Sequence, residues 1–340
     1  MSPRASARRR PRARTHPRGR APRGAPAHGR TGHAAIRSRV LAGAAVLPLT
    51  SPADGASRVR SSESACPLCG EGACSPALVT DGVAILECQR CGLAFRPDRP
   101  DDATIKTLYG PEYFVGGSGQ YLDYLADEWI HRRQARYYLR QLARFRWTSG
   151  TLLDVGCAAG FLLDEARQAG WRVEGCDVSA YMARHAHEVL GLPVREGEFL
   201  AQDYAAGSVD VVTLLSVLGH LPDPRGVERR LHELVRPGGL ALVEAWDRGS
   251  LFARMCGRRW HEWNPRYVLY YFTRRALRRL FDGSRWRLVS CRASVKWISV
   301  RRGLHVLGPT DRTARASGPL ANLAVPYMAG DLVLAAFERR

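Results

Sequence analysis

From residue 150 to about 245 the chain alternates short apolar runs with longer segments whose apolar residues recur every three or four positions. Thr151–Val155 has the length of a buried strand. The segment after it carries Leu162, Leu163, Ala166 and Ala169 at helical spacing before Gly170 stops it. "WRVEGCD" predicts a second strand ending at Asp177, and Ser179 is placed to cap a helix with Met182, Ala186, Val189 and Leu190 on one face. A short third strand at residues 193–195 leads to Glu198 and Phe199. "VDVVTLLS" is nearly all apolar, as a strand covered on both faces is. Asp223-Pro224 reads as a cap followed by proline in the first turn; Val227, Leu231, Leu234 and Val235 follow at helical spacing, and "RPGG" turns the chain into a fifth strand at residues 240–244. This order predicts an α/β fold with a doubly wound, mostly parallel sheet that binds ligands at the carboxyl ends of its strands.

Upstream, the pattern changes twice. Residues 121–146 place Leu122, Leu125, Trp129, Tyr137, Leu139 and Leu142 at helical spacing, predicting one long helix. Just before it, "LYGPEYF" is aromatic and turn-like, so this region is either a flank packed on the sheet or a lid with Tyr113 and Phe114 facing a ligand. Earlier still, "LVTDGVAILE" alternates around Asp81-Gly82, the signature of a β-hairpin.

Charge separates a tail from a body. Residues 1–60 hold fourteen arginines and one acidic residue, about +13 by counting, which accounts for most of the +19 of the whole chain. Rich in Arg, Pro, Ala and Gly and poor in apolar periodicity, this tail lacks the surface to offset chain entropy and is expected to be disordered. Its basic run followed by "VLAGAAVLPL" also fits a signal-peptide layout, and arginine runs suit nucleic acid, but no interleaved aromatic stripe and no span of membrane length accompanies them. Membrane insertion and nucleic-acid binding are therefore not expected, and a dispensable leader is.

Four of the nine cysteines form Cys66-x2-Cys69 and Cys88-x2-Cys91, eighteen residues apart, each pair followed by glycine. Tetrahedral zinc takes four thiolates from two such knuckles, and the hairpin between them can bring the pairs together. Two disulfides or unpaired buried thiols are the alternatives. The other five cysteines are scattered, which favours a reducing cytoplasm over a disulfide framework. A ribbon this small has no room for an open catalytic position, so the metal is expected to be structural, and the absence of basic residues in "LVTDGVAILE" argues against phosphate contact.

The stretch "LLDVGCAAG" sets Asp154, Gly156, Ala158 and Gly160 after the first strand, with Asp177 at the end of the second, 23 residues on. With "GWRVEGCDVS", "VDVVTLLSVLGHLPDP" and "LVRPGGLALVE", it resembles the successive motifs of class I S-adenosylmethionine-dependent methyltransferases. The cysteine pairs, "EYF", the long helix and "RRWHEWNPRYVLYYFT" resemble a bacterial subgroup in which a zinc ribbon precedes the methyltransferase domain, over roughly residues 66–337. The resemblance implies a Rossmann-like, seven-stranded sheet, with "GDLVLAAFERR" as its added antiparallel strand. It implies a cofactor site of Asp154, Gly156, Ala158, Gly160, Asp177, Glu198, Phe199 and Ser216, with Asp177 accepting two ribose hydroxyls. It also implies S-adenosylmethionine as cofactor, structural zinc on Cys66, Cys69, Cys88 and Cys91, and a small-molecule acceptor such as a sugar, quinol or natural-product hydroxyl. The expected organisation is a tail at 1–60, a zinc ribbon at 61–100, a helical lid or linker at 101–149 and the methyltransferase domain at 150–340.

The chain departs from the family in three places. Ala158 stands at the usual middle glycine, Gly219-His220 replaces a frequent Glu-His, and Val268 replaces the histidine of an "HLxYF" motif. His220, at a strand end, is the candidate general base, with a capping or core role as its alternative; His261 and Tyr113 are weaker candidates. Two other functions stay open, a zinc-ribbon binding protein with a vestigial cofactor domain and a nicotinamide-dependent dehydrogenase. Against the latter stand the glycine spacing and the lack of a Tyr-x-x-x-Lys, Lys106 and Lys296 being the only lysines. Ser216 lacks a nucleophile elbow, and no phosphate loop is present.

Overall fold

The computed structural model describes residues 65–115, 121, 123–281, 283–300 and 323–340. The basic tail and its apolar run lie outside the described residues.

The chain begins with the hairpin β1 (Cys74–Thr80) and β2 (Val83–Cys88), turning at Asp81-Gly82, to which β3 (Ala94–Phe95) adds a third strand. Asp81 and Gly82 both take positive φ, 51° and 74°, as a two-residue hairpin turn requires. Helices α1 (Asp102–Leu108) and α2 (Pro111–Phe114) follow, the first capped by Asp101 accepting from the Thr104 N–H at 2.8 Å.

The long helix α3 spans Glu128–Arg144 and is shorter than its periodicity predicts. Before it, Val115 bridges Asp123 and the Tyr124 N–H donates to the Phe114 carbonyl at 2.8 Å. These backbone bonds are unavailable to a helix, so Tyr121 and Tyr124 belong to a loop instead.

The body then winds as its pattern predicts: β4 (Thr151–Val155), α4 (Phe161–Gln168), β5 (Arg172–Asp177), α5 (Ala180–Glu188), β6 (Val194–Glu196), β7 (Val209–Leu215), α6 (Pro224–Leu234) and β8 (Val235–Trp246). The fifth strand is longer at both ends than the apolar run 240–244, because the "RPGG" turn is absorbed as an irregularity between the pairs Val209–Val235 and Val211–Leu240. Then come α7 (Leu251–Cys256), β9 (Tyr270–Tyr271), α8 (Arg274–Leu280), β10 (Trp286–Ala293), β11 (Lys296–Ser299), β12 (Ala324–Tyr327) and β13 (Leu332–Arg339).

Seven strands form the central sheet in the order β10-β13-β8-β7-β4-β5-β6, parallel from β8 to β6, with β13 antiparallel to both β8 and β10. The fold is α/β and Rossmann-like. From β4 the chain steps outward to β6, then returns to the opposite side as β7, so a crevice opens at the carboxyl ends of β4 and β7. Leu152 and Leu153 show the pleat: the first packs with Leu163 and Leu142 on one face, the second with Val212, Leu231 and Trp286 on the other.

The ribbon's β3 pairs with β9, and Leu68, Leu86 and Phe95 share a buried cluster with Leu153 and Val243 of the central sheet. The edge strand β10 is held by Trp286, which is 1% exposed and donates its indole N–H to Glu228 Oε1 of α6 at 2.8 Å. Trp286→Phe keeps an aromatic ring, though one smaller than the indole, and leaves the buried carboxylate short of a donor. It is expected to cost about 1–3 kcal/mol, read as a lower urea midpoint; an unchanged midpoint would show that this bond does not hold the edge.

Candidate functional site

The turn between β4 and α4 is built on three left-handed residues, Gly156 (φ 73°), Ala158 (φ 47°) and Gly160 (φ 79°). A Cβ on Gly156 would lie 2.5 Å from Val217 Cγ2, beyond β7, and one on Gly160 would lie 2.6 Å from Leu192 Cδ1. Close approach therefore demands glycine at both ends of the turn. Gly160 starts α4 and packs against its neighbours rather than facing a cavity. Ala158 holds its conformation at a cost of about 1–2 kcal/mol, offset by its N–H, which donates to Asp177 Oδ2 at 2.7 Å. The other carboxylate oxygen, Oδ1, accepts from the Ser179 N–H at 2.8 Å. Ser179 heads α5 as predicted, but its backbone supplies the bond and its side chain caps nothing.

Two desolvated carboxyl groups stand at neighbouring strand ends. Burial pushes Asp177 up to about 6 against the pull of its two N–H donors. Burial likewise pushes Asp154 up to about 7; the Thr213 hydroxyl, donating to its Oδ1 at 2.5 Å, opposes this, and the charge of Asp177 adds to it. A ligand that brings hydroxyl donors or positive charge would restore the ionised forms of both.

A cavity of about 160 Å³ opens beside Asp177. Gly156, Ala158, Glu198 and Phe199 line it with Ser216 and His220, and Tyr109, Tyr113 and Phe114 of the α1–α2 region form its aromatic wall. The Tyr113 ring lies 4.9 Å from those of Tyr109, Phe114 and Tyr267. Asp154 faces a second chamber of about 130 Å³, shared with Gly156, His131, Gln134, Glu244 and Lys296. Ser216 borders both chambers and a third recess that holds His220, Glu244, Trp246 and Tyr271.

His220 Nδ1 lies 3.0 Å from the Tyr267 carbonyl and 2.8 Å from the Tyr109 hydroxyl, which itself donates to the same carbonyl at 3.1 Å. The Tyr267 carbonyl only accepts and so favours the tautomer with the proton on Nδ1, which leaves the lone pair on Nε2. Burial pushes the imidazole down to about 4, keeping it neutral. Beside it, Glu244 is 1% exposed and accepts from three hydroxyls: Tyr138 at 2.7 Å, Ser216 at 3.0 Å and Ser294 at 2.6 Å. His261 stands apart from all three chambers, its ring 5.1 Å from that of Trp246 and its Nε2 3.3 Å from Glu262.

The four knuckle cysteines converge, their sulfurs all within 4.8 Å of one another. Cys66 lies 3.6 Å from Cys91 and Cys69 lies 3.5 Å from Cys88, too far for S–S bonds and close to the edge, about 3.8 Å, of a tetrahedron with metal–sulfur bonds of 2.3 Å. Cys74 is not in the group; its thiol donates to the Glu71 carbonyl.

Of the residues singled out in the sequence, Gly156, Ala158, Asp177, Glu198, Phe199, Ser216 and His220 thus share one cavity, Asp154 borders the next, and Gly160 supports the turn from behind. Tyr109, Tyr138, Glu244 and Lys296 were not expected as site residues, although Tyr109 lies in "LYGPEYF" and Glu244 ends "LVRPGGLALVE". Only the position of Glu244 at a strand's carboxyl end could have flagged it.

Residues 126–290 match the family model described as Methyltransferase domain. Over 103 residues the chain is 38% identical to a ubiquinone biosynthesis O-methyltransferase of Cupriavidus pinatubonensis, a match covering 28% of this chain and 41% of that protein. A protein of the same name from Ralstonia nicotianae is 41% identical over 105 residues, covering 29% and 44%. The chain thus spans less than half the length of these curated relatives. Among solved structures, the geranyl diphosphate C-methyltransferase of Streptomyces coelicolor A3(2) aligns with a TM-score of 0.42 at 16% identity, covering 62% of this chain and 79% of that one.

The turn geometry makes opposite predictions for two small substitutions. Gly156→Ala adds a left-handed penalty of about 1–2 kcal/mol to the contact with Val217 and should lower the urea midpoint. Ala158→Gly relieves the same penalty and should be neutral or stabilising by up to about 1 kcal/mol. Equal effects of the two would remove the steric account of the turn.

Proposed function

From the premise that residues 126–290 are a methyltransferase domain of the class I, S-adenosylmethionine-dependent kind, we propose that the protein transfers a methyl group to a hydroxyl of a small acceptor, of the quinol or phenol type. The single observation that carries the reading is the buried Asp177 carboxylate, tied to the glycine turn through the Ala158 N–H and bordering the cavity beside β4. S-adenosylmethionine supplies a methyl group on a sulfonium centre, which departs as a neutral thioether.

The chain's own residues fit that group. Asp177 keeps lone pairs beyond those engaged by Ala158 and Ser179, available to ribose hydroxyls. Glu198 and Phe199 border the same end of the cavity, and Gly156 lets the backbone approach closely. Asp154, Ala158 and Ser216 complete the cofactor site, with Gly160 setting the turn from behind. Tyr109, Tyr113 and Phe114 exclude water from the reacting end. His220 accepts the acceptor's proton at Nε2, its Nδ1–H being held by the Tyr267 carbonyl. A neutral imidazole is in the required form throughout the physiological range, since burial holds its pKa near 4.

Cys66, Cys69, Cys88 and Cys91 are the structural zinc site of this reading, supported by the sulfur spacing. A reducing compartment such as the cytoplasm belongs to the same reading, the other five cysteines being scattered along the chain rather than set in pairs. Among the described residues no helix is long and apolar enough to cross a membrane. The corresponding organisation is a tail at 1–60, a zinc ribbon at 61–100, a helical lid or linker at 101–149, whose second half already falls within the family match, and the methyltransferase domain at 150–340.

Calorimetry tests the cofactor reading and kinetics the base. The wild type is expected to bind S-adenosylhomocysteine and not NAD, and Asp177→Ala to weaken that binding by about 1.5–3 kcal/mol. Because the ligand's hydroxyls favour the ionised carboxylate, affinity should fall as pH drops through about 6. His220→Ala is expected to lower kcat by about 10²- to 10⁴-fold on a hydroxyl acceptor with cofactor affinity unchanged, and the wild-type profile should lack an acidic limb near pH 6.5. Tight NAD binding without S-adenosylhomocysteine binding would sink the reading.

Elemental analysis tests the ribbon separately. Protein purified without added metal should hold about one zinc per chain, and Cys66→Ser with Cys69→Ser should lose it. A folded, metal-free wild type would refute the site.

A further inference from the structure

The α1–α2 segment reaches His220 through one phenol. Tyr109 closes the carboxyl end of α1, its N–H donating to the Ile105 carbonyl at 3.2 Å, and its ring stands edge-on to that of Tyr113 at 4.9 Å. Tyr113 in turn meets the ring of Tyr267 at 4.9 Å, while the Tyr109 hydroxyl donates to the Tyr267 carbonyl at 3.1 Å. Tyr267 is therefore gripped twice from this segment, by its ring and by its carbonyl. The backbone that carries the carbonyl is fixed as well. The Tyr267 and Val268 N–H groups donate to the Asn264 carbonyl at 3.1 and 2.9 Å, and those of Leu269 and Tyr270 donate to the Gly219 carbonyl.

An imidazole nitrogen, a phenol oxygen and a carbonyl oxygen then meet in a triangle. His220 Nδ1 lies 2.8 Å from the Tyr109 oxygen and 3.0 Å from the Tyr267 oxygen, and the two oxygens lie 3.1 Å apart. The phenol has one proton to give, and the neutral imidazole has one that either ring nitrogen can carry. With the phenol proton turned to the carbonyl and the ring proton on Nδ1, the ring N–H finds both oxygens as acceptors, and every edge of the triangle pairs a donor with an acceptor. With the phenol proton turned to a bare Nδ1, the carbonyl oxygen faces a nitrogen lone pair at 3.0 Å, acceptor against acceptor. The first arrangement is the one without a repulsive edge. Burial, followed by the charge of Asp177, pushes the Tyr109 phenol up, so its hydroxyl keeps the proton this bridge needs.

We propose that Tyr109 is a positioning residue for His220, its hydroxyl holding the imidazole in the Nδ1–H tautomer and so making the aromatic wall and the base one unit. Without the phenol oxygen the carbonyl alone restrains the ring, and a share of it passes to the Nε2–H form, which has no lone pair at Nε2 to receive a proton. The role rests on the methyltransferase reading for what His220 does, whereas the tautomer itself is measurable without any acceptor.

The test is nitrogen magnetic resonance on the full chain, isotope-labelled in histidine and held at neutral pH, where burial keeps this ring uncharged. The His220 signals are identified by their loss in His220→Asn. Ring-nitrogen shifts distinguish a protonated nitrogen from a bare one, and the wild type should carry its proton on Nδ1. In Tyr109→Phe, which keeps the ring and its packing, the tautomer ratio should move toward Nε2–H by about three- to tenfold, the equivalent of one neutral hydrogen bond. Tyr113→Phe removes a hydroxyl from the adjoining ring and should leave the ratio as it is. A cooperative urea transition shows that each variant folds, and S-adenosylhomocysteine affinity in Tyr109→Phe should stay within about threefold of wild type.

A wild type with the proton on Nε2, a ratio unmoved in Tyr109→Phe, or an equal movement in Tyr113→Phe overturns the proposal. So does a loss of about tenfold or more in S-adenosylhomocysteine affinity in Tyr109→Phe, since the hydroxyl would then serve the cofactor. A wild type that shows the Nδ1–H tautomer and its dependence on Tyr109 but never binds S-adenosylhomocysteine would leave the bridge in place and defeat the methyltransferase reading instead.

Discussion

The Asp177 carboxylate sits between two backbone N–H groups, those of Ala158 and Ser179, and most of the site's geometry follows from that bridge. One bond ties the turn after β4 to the end of β5, and the other ties the same strand end to the start of α5. Without the first, Ala158 would have little reason to stay in the left-handed region, and the cavity wall would relax with it. Desolvation works against the ionised form that makes these bonds, so the carboxyl titrates near 6 and is poised to gain from any ligand that adds hydroxyl donors.

The ribbon enters this geometry through backbone pairing. Strand β3 pairs with β9, Arg96 donates its N–H to the Leu269 carbonyl and its guanidinium to the Pro265 carbonyl at 2.9 Å, and Arg248 pairs with Glu87 of the hairpin. The 265–271 segment, in turn, donates the N–H groups of Leu269 and Tyr270 to Gly219 and presents the Tyr267 carbonyl to His220. The ribbon, through β3, Arg96 and Glu87, therefore braces the segment that presents its carbonyl to the histidine. Gly219 serves this arrangement sterically, because a Cβ there would lie 2.8 Å from the Tyr270 carbonyl oxygen.

On the other side of Ser216, a network around Glu244 rigidifies the chamber. Three hydroxyls from α3, from the end of β7 and from the loop after β10 converge on one buried carboxylate, and burial followed by the charge of Glu244 keeps the Tyr138 phenol protonated. A buried charge so fully hydrogen-bonded is tolerated, whereas removal of any donor would leave it undersatisfied.

Features that depend on local periodicity and local stereochemistry are legible in the order of residues alone. Strand ends at Val155 and Asp177, the helix start at Ser179, the helix cap at Asp223, the hairpin at Asp81-Gly82 and the paired knuckles all follow from residues within a few positions of one another. The helix at 121–146 misled because its spacing is helical while its first residues are claimed by backbone bonds to Phe114 and Val115, partners no periodicity can see. The rest of the site was decided by tertiary structure. His220 acquires its tautomer from Tyr267, 47 residues away, and its second contact from Tyr109, 111 residues away. Glu244 meets Tyr138 across 106 residues and Ser294 across 50. Such contacts form only when distant elements have docked, and side-chain orientation and desolvation, which set protonation and charge, follow from the docking rather than from the order of residues.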